Sequence, residues 1–328
     1  MICCLLKRKL LRTRRYQKIN NGVTRVTIQS MLFNTFIKTM DQYKDIFNEK
    51  PDGVRAIKDI TYTNRKKNAT LNIYYPYYRK ERYPIIVNIH GGGYVYSTKE
   101  TYEAYCMTLA SHGFAVVSYD YDLAPKLKYP TPIVQLNECM HWLHKNHGQY
   151  SLNINQLFMI GDSAGAQIMA QYVTILNNPR YHQFFQIELP IINVLGIAIN
   201  CGFFNAIDIA IAKKKSFTRF MVRGLMQDYV GKDFHKKQNE INCEPFIDKN
   251  FPPTFVASSV NDLLVGKAPE ILLYLRRSGI KTIYREYGRG DFFAQHNFQM
   301  DIRRSNAKQC TIDEINFFKN IIDEQSTL

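Results

Sequence analysis

Gly161-Asp162-Ser163-Ala164-Gly165 follows an apolar run, Gln156–Asp162, and leads into a stretch of helical period, Ala164–Leu176. In that setting G-x-S-x-G makes a sharp strand-to-helix turn that lifts a serine hydroxyl clear of a sheet. Glycine is needed on both sides, because a Cβ there would collide with the neighbouring strand or helix. A serine so placed can attack a carbonyl carbon once a base removes its proton. Alone, the pattern would arise by chance in roughly one chain in ten of this length.

Upstream, His90-Gly91-Gly92-Gly93 follows another apolar run, Pro84–His90. Three glycines together cost conformational entropy and need a reason. Bare backbone can aim amides at a developing alkoxide, with no side chain in the way. The spacing points to the N–H groups of Gly91 and Gly92, joined by Ala164 at a helix N-terminus where the dipole favours negative charge. Taken singly, the glycines could be a flexible loop and Ser163 a helix cap. Their order and contexts together favour an oxyanion hole facing a nucleophile.

On a sheet of this kind the order is serine, acid, histidine, so both partners should follow Ser163. Downstream histidines are His182, His235 and His296. His182 precedes a strand and His235 falls in the stretch 203–248, read below as part of a cap. His296, in "FFAQHNF", follows the last strand, where a loop can carry it over Ser163. Asp262 lies just past the run Pro253–Ser259, at a strand's C-terminal end, the place where open α/β sheets put such groups. Asp291, close before His296, is the rival acid. The carboxylate would fix the imidazole tautomer and stabilise imidazolium without taking the proton.

With "HGGGY", "SYDYDLAPKLKYP" and "GDSAG", the chain from about Asp59 onward resembles the hormone-sensitive-lipase-like esterases of the α/β-hydrolase fold. That resemblance implies ester hydrolysis without a cofactor or metal, under a cap of N-terminal helices plus an insertion. It also implies the triad Ser163, Asp262 and His296 with an oxyanion hole of Gly91, Gly92 and Ala164. A deacetylase or amidase, or a non-catalytic small-molecule receptor, would share the fold. There are departures. The usual Tyr-Arg-Leu-Ala-Pro-Glu reads Tyr121-Asp122-Leu123-Ala124-Pro125-Lys126, Ala166 replaces a glycine after GDSAG, and Asn297 replaces the glycine after the histidine.

The elements that must position these groups alternate along the chain. "RAIKDITY" and "TLNIYY" read as an antiparallel opening. Pro84–His90, Phe114–Asp120, Gln156–Asp162, Val194–Asn200, Pro253–Ser259 and Lys281–Tyr287 read as strands. Helical stretches at Tyr102–Ser111, Pro132–Asn146, Ala164–Leu176 and Lys267–Ser278 lie between them. Continuous apolar strands separated by helices predict an α/β fold: a mainly parallel sheet covered on both faces. Thr311-Ile312-Asp313-Glu314 reads as a capping box opening the last helix. Residues 1–48 and about 203–248 break the rhythm and are expected to cap one end of a catalytic domain spanning 49–328. Tyr94, Phe203 and Phe204, with Phe217 and Phe220, are expected to line an acyl pocket.

The chain has 328 residues and a net charge of +15. Residues 1–40 hold nine Lys or Arg and no acid. With no RNA-binding aromatic motif or zinc-finger spacing, the expectation is a solvated segment and no nucleic-acid partner. The apolar run at the start is short and precedes the charges, unlike a signal peptide. No run is long enough for stable membrane insertion. Seven cysteines without metal-ligand spacing read as reduced thiols in a cytoplasmic protein. His141, His144 and His147 recur on one helix with no completing ligand and read as a solvated face. The expected partner is a small-molecule ester. Oligomeric state is open, a homodimer being one option.

Overall fold

The computed structural model describes residues 26–35, 48–64 and 69–327. The basic stretch 1–25, and most of the expected N-terminal cap segment, lie outside the described residues.

Eight strands form one sheet: β1 (Arg55–Thr61), β2 (Thr70–Tyr75), β3 (Tyr83–Ile89), β4 (Ala115–Tyr119), β5 (Leu152–Asp162), β6 (Val194–Asn200), β7 (Thr254–Ser259) and β8 (Thr282–Tyr287). Their spatial order is β1-β2-β4-β3-β5-β6-β7-β8. β1 pairs antiparallel with β2, and β2 with β4; every pairing from β4 to β8 is parallel. This is the mainly parallel α/β architecture expected from the alternation.

Side chains alternate across a strand, so each central strand feeds two cores. In β5, Leu157 and Met159 join one apolar cluster, and Phe158 and Ile160 the other. In β3, Ile85, Val87 and Ile89 face the first cluster and Ile86 the second. Helices Thr131–Asn146, Ser163–Asn177 and Lys267–Arg277 supply the first face, through residues such as Leu136, Ile168 and Ile271. Helices Glu103–Ser111 and Ser305–Ser326 supply the other, through Leu109, Phe317 and Phe318. Burial on both faces explains why these strands read as continuous apolar runs.

The last helix corrects the reading of its start. It begins at Ser305, so Thr311 and Glu314 lie inside it and cap nothing. The buried stripe Ala307, Cys310, Glu314, Phe317, Phe318 and Ile321 carries the helix past the apparent box. Glu314 is fully buried. Its Oε1 accepts from Asn200 Nδ2 at 2.6 Å and its Oε2 from the Tyr105 hydroxyl at 2.9 Å. Burial pushes this carboxyl up to about 7 despite those donors.

Between β6 and β7 the chain leaves the sheet through helices Ala206–Ile211 and Phe217–Tyr229 and three shorter helical turns. Residues 28–35 form a helical segment docked on the second of these. Thr27 Oγ1 accepts from the Ser30 amide, capping that segment. Both the amide and hydroxyl of Thr27 donate to the buried Asp228 carboxylate, at 2.9 and 3.0 Å. Gln29 fills the space that Gly224 leaves bare.

A raised carboxyl pKa makes stability fall as pH climbs from the ordinary carboxyl value towards 7, because the unfolded chain releases its proton first. Glu314→Gln keeps the shape of the neutral acid. It is expected to match wild type near pH 4.5 and to exceed it by about 3 kcal/mol above pH 7, measured by urea unfolding.

Candidate active site

Ser163 opens its helix directly after β5, with φ at +49°, a conformation that side-chain-bearing residues rarely adopt. Such a bend persists only where its surroundings over-determine it. A Cβ on Gly161 would lie 2.9 Å from the backbone of Gly165, and one on Gly165 would lie 2.1 Å from the carbonyl oxygen of Ile89. The helix therefore presses bare backbone against β3 and β5, and the serine is left at the turn.

His296 Nε2 stands 3.0 Å from Ser163 Oγ, and His296 Nδ1 stands 2.7 Å from Asp262 Oδ1. The Leu264 amide also donates to Asp262 Oδ1, at 2.9 Å. Burial alone would raise the Asp262 carboxyl. The neighbouring imidazole, that amide and the Cys201 thiol outweigh it and hold the group below the usual carboxylate value. The rival Asp291 accepts from Asn306 Nδ2 at 3.0 Å and pairs with Arg304, away from the imidazole. Of the other histidines, His182 Nε2 donates to the Ile187 carbonyl and His235 is exposed.

The loop carrying His296 is tied down at two points before the histidine. Ser259 Oγ, at the end of β7, donates to the Ala294 carbonyl, and Asn261 Nδ2 donates to that of Asp291. Asn297 takes φ +56°, the left-handed region that favours glycine and that asparagine tolerates. The departure from the usual glycine therefore leaves the turn intact.

The glycine loop corrects one assignment. The Gly91 amide donates to the Tyr102 hydroxyl at 3.0 Å and to Asp162 Oδ1 at 3.1 Å, so it braces the turn and does not face a substrate. A Cβ on Gly91 would meet Asp162 Oδ2 at 2.4 Å. Tyr121 donates to the His90 carbonyl at 2.8 Å, and its ring stacks on His90 at 4.0 Å. Gly92 and Gly93 adopt φ +99° and +59°, and Gly93 and Ala164 line the cavity over Ser163. Of the expected donors, Ala164 stands at the cavity, and Gly93 stands there with it. The triple glycine was itself the signal for Gly93.

That cavity has a volume of about 500 Å³, with Ser163 and His296 in its wall. Tyr94 and Phe203 line it as expected, and so does Phe217. Tyr94 is wedged against Tyr229, ring centroids 3.9 Å apart, and donates to Gln167 Oε1. Phe204 does not line the cavity; it is buried beside Phe251 in the core. Phe220 also lies outside, on the exposed side of its helix. Leu32, Phe33, Met221, Leu225 and Leu263 complete the apolar wall, and the first two come from the segment 28–35. Among the described lining residues there is no lysine, arginine, aspartate or glutamate.

Cys201, Asp262 and His296 offer ligand atoms within 4.8 Å of one another. Burial raises the Cys201 thiol well above its ordinary value, so it stays neutral, whereas a metal takes thiolate. The Nδ1 and Oδ1 atoms are already committed to each other, so these residues do not suit a metal. His141 Nε2 donates to the Glu188 carbonyl and His144 is exposed.

Residues 71–275 match the BD-FAE family. A protein of Acanthamoeba polyphaga mimivirus named as an α/β-hydrolase is 22% identical over 215 residues, 60% of this chain and 61% of that protein. The acetyl esterase of Salmonella typhi is 32% identical over 81 residues, 24% of this chain and 25% of the enzyme. The chain thus spans less than two thirds of either curated relative. Esterase B from Lactobacillus rhamnosis superposes with a TM-score of 0.84 at 19% identity, covering 91% of this chain and 97% of the enzyme. A Pyrobaculum calidifontis esterase superposes with a TM-score of 0.71 at 19% identity, covering 95% and 98%.

A fluorophosphonate probe, which reports an activated serine, is expected to label the wild-type chain at Ser163. Asp262→Asn should slow labelling by roughly 10³–10⁴-fold, and Asp291→Asn by less than about threefold, in mass-spectrometric time courses.

Proposed function

The chain belongs to the BD-FAE family, and from that premise we propose that it is a serine carboxylesterase of the hormone-sensitive-lipase-like kind acting on short- to medium-chain acyl esters. One observation carries the proposal. A continuous hydrogen-bonded line runs from Asp262 through His296 to Ser163 and opens on an apolar cavity.

In this reading Ser163 Oγ attacks the ester carbonyl carbon while its proton passes to His296 Nε2. Asp262 stays ionised, holds Nδ1 protonated and stabilises the imidazolium. In the same reading the tetrahedral oxyanion accepts hydrogen bonds from the amides of Gly92, Gly93 and Ala164. His296 returns the proton to the departing alcohol, leaving Ser163 acylated. A water molecule then repeats the sequence and frees the acid. An uncharged cavity wall supports a neutral, apolar acyl group. Segment 28–35 and helix Phe217–Tyr229 act as the cap, supplying half of that wall. Five buried, unpaired cysteines among the described residues fit a reducing compartment such as the cytoplasm.

A series of nitrophenyl esters from acetyl to palmitoyl tests the reading. Butyryl to octanoyl esters should be hydrolysed fastest, palmitoyl poorly and matching anilides more slowly than esters. Ser163→Ala should lower turnover by roughly 10⁴-fold or more. No hydrolysis of any ester by wild type would favour a non-catalytic binding role.

A further inference from the structure

The cavity mouth is ringed by apolar side chains that face solvent. Phe217 is 76% exposed and Leu263 53% exposed, although both line the cavity, and Leu32 is partly exposed beside them. Thr218 Oγ1 donates to the Leu263 carbonyl, joining the insertion to the loop after β7. Ile28 shares a helical face with Leu32, four residues on, and is exposed too. Phe292 is 73% exposed on the loop that leads to His296, and Asn261 ties that loop to the Leu263 loop. On helix Phe217–Tyr229 the outward positions Phe217, Phe220 and Arg223 follow one another at intervals of three.

Charge beside this rim is mainly basic, and Asp291, next to Phe292, pairs with Arg304. Residues 206–223 contain five Lys or Arg and one acid, Asp208, which accepts from Gln238. Lys213, Lys214 and Lys215 are exposed, lie one residue before Phe217, and pair with no acid among the described residues. Segment 26–35 carries no charge at all.

We propose that this face, Lys213–Lys215 with Phe217, Phe220, Leu263 and Phe292, docks on an anionic lipid surface and opens the cavity mouth towards it. Exposed aromatic and aliphatic side chains at the headgroup boundary, with lysines paired to lipid phosphates, make up an interfacial contact that spans nothing. A second copy of the chain suits the face poorly. A twofold contact sets each patch against its own image, and here that opposes two lysine clusters on chains of net charge +15. Docking goes beyond the esterase reading and is measured without catalysis.

The test is flotation of the full chain with vesicles of phosphatidylcholine alone, and of phosphatidylcholine with one third phosphatidylglycerol. Wild type and Ser163→Ala should bind the anionic vesicles alike, less so at high salt, and the neutral ones weakly. Each lysine is worth about fivefold, so K213Q/K214Q/K215Q should weaken binding roughly a hundredfold while hydrolysing a soluble short ester as wild type does. Phe220→Ser should weaken it about tenfold. Three results would overturn the proposal: no binding by wild type, binding by the triple variant equal to wild type, or a dimer that Phe220→Ser dissociates in the absence of vesicle binding.

Discussion

The positive φ of Ser163 is the constraint from which the rest of the structure follows. A side-chain-bearing residue holds that conformation only if the chain on either side leaves it no alternative. Gly161 and Gly165 remove the alternatives by letting helix, β3 and β5 touch backbone to backbone. The contact has two chemical results. It sets the Ala164 amide at a helix N-terminus with no partner in its own helix, and it exposes the serine oxygen on the side where β3, β6 and β7 end. Asp162, next to the bend, reaches back to the Gly91 amide and fixes the glycine loop. The serine and the glycine loop are thus set by one joint.

The remaining machinery hangs from strand ends near that joint. β7 delivers Asp262, and Ser259 at its last position also holds the loop that brings His296. β6 ends at Asn200, in register with Asp162, and Cys201 just beyond it lies against Asp262. Behind Asn200 the buried Glu314 anchors the last helix. Above, the Thr27–Asp228 contact fastens segment 28–35 to the insertion, and both contribute to the cavity wall. The cavity wall is mainly apolar, with Ser163 and His296 at one edge.

Much of this arrangement was legible in the chain. Strand and helix alternation predicted the sheet, because burial on both faces leaves uninterrupted apolar runs. The order of serine, acid and histidine along the chain pointed to the residues now found in one hydrogen-bonded line. What was not legible depends on distance in space. Gly91 looks like a donor until Asp162 and Tyr102 are seen to occupy its amide. Thr311 and Glu314 have the spacing of a cap, but i and i+3 positions also share the buried face of a long helix, and the apolar stripe before them decides it. Phe204 differs from Phe203 only in which way it points. Leu32 and Phe33 could be assigned to the cavity only once Asp228 was seen to hold their segment.

The claim at the centre is that Ser163 carries the acyl group between two half-reactions. Rapid-quench peptide mass spectrometry during turnover of a butyryl ester measures this directly. The account predicts a butyryl adduct that builds up within the first turnover on the peptide containing Ser163 and decays once ester is exhausted. Turnover with no adduct on that peptide, or with the adduct on another residue, would contradict it.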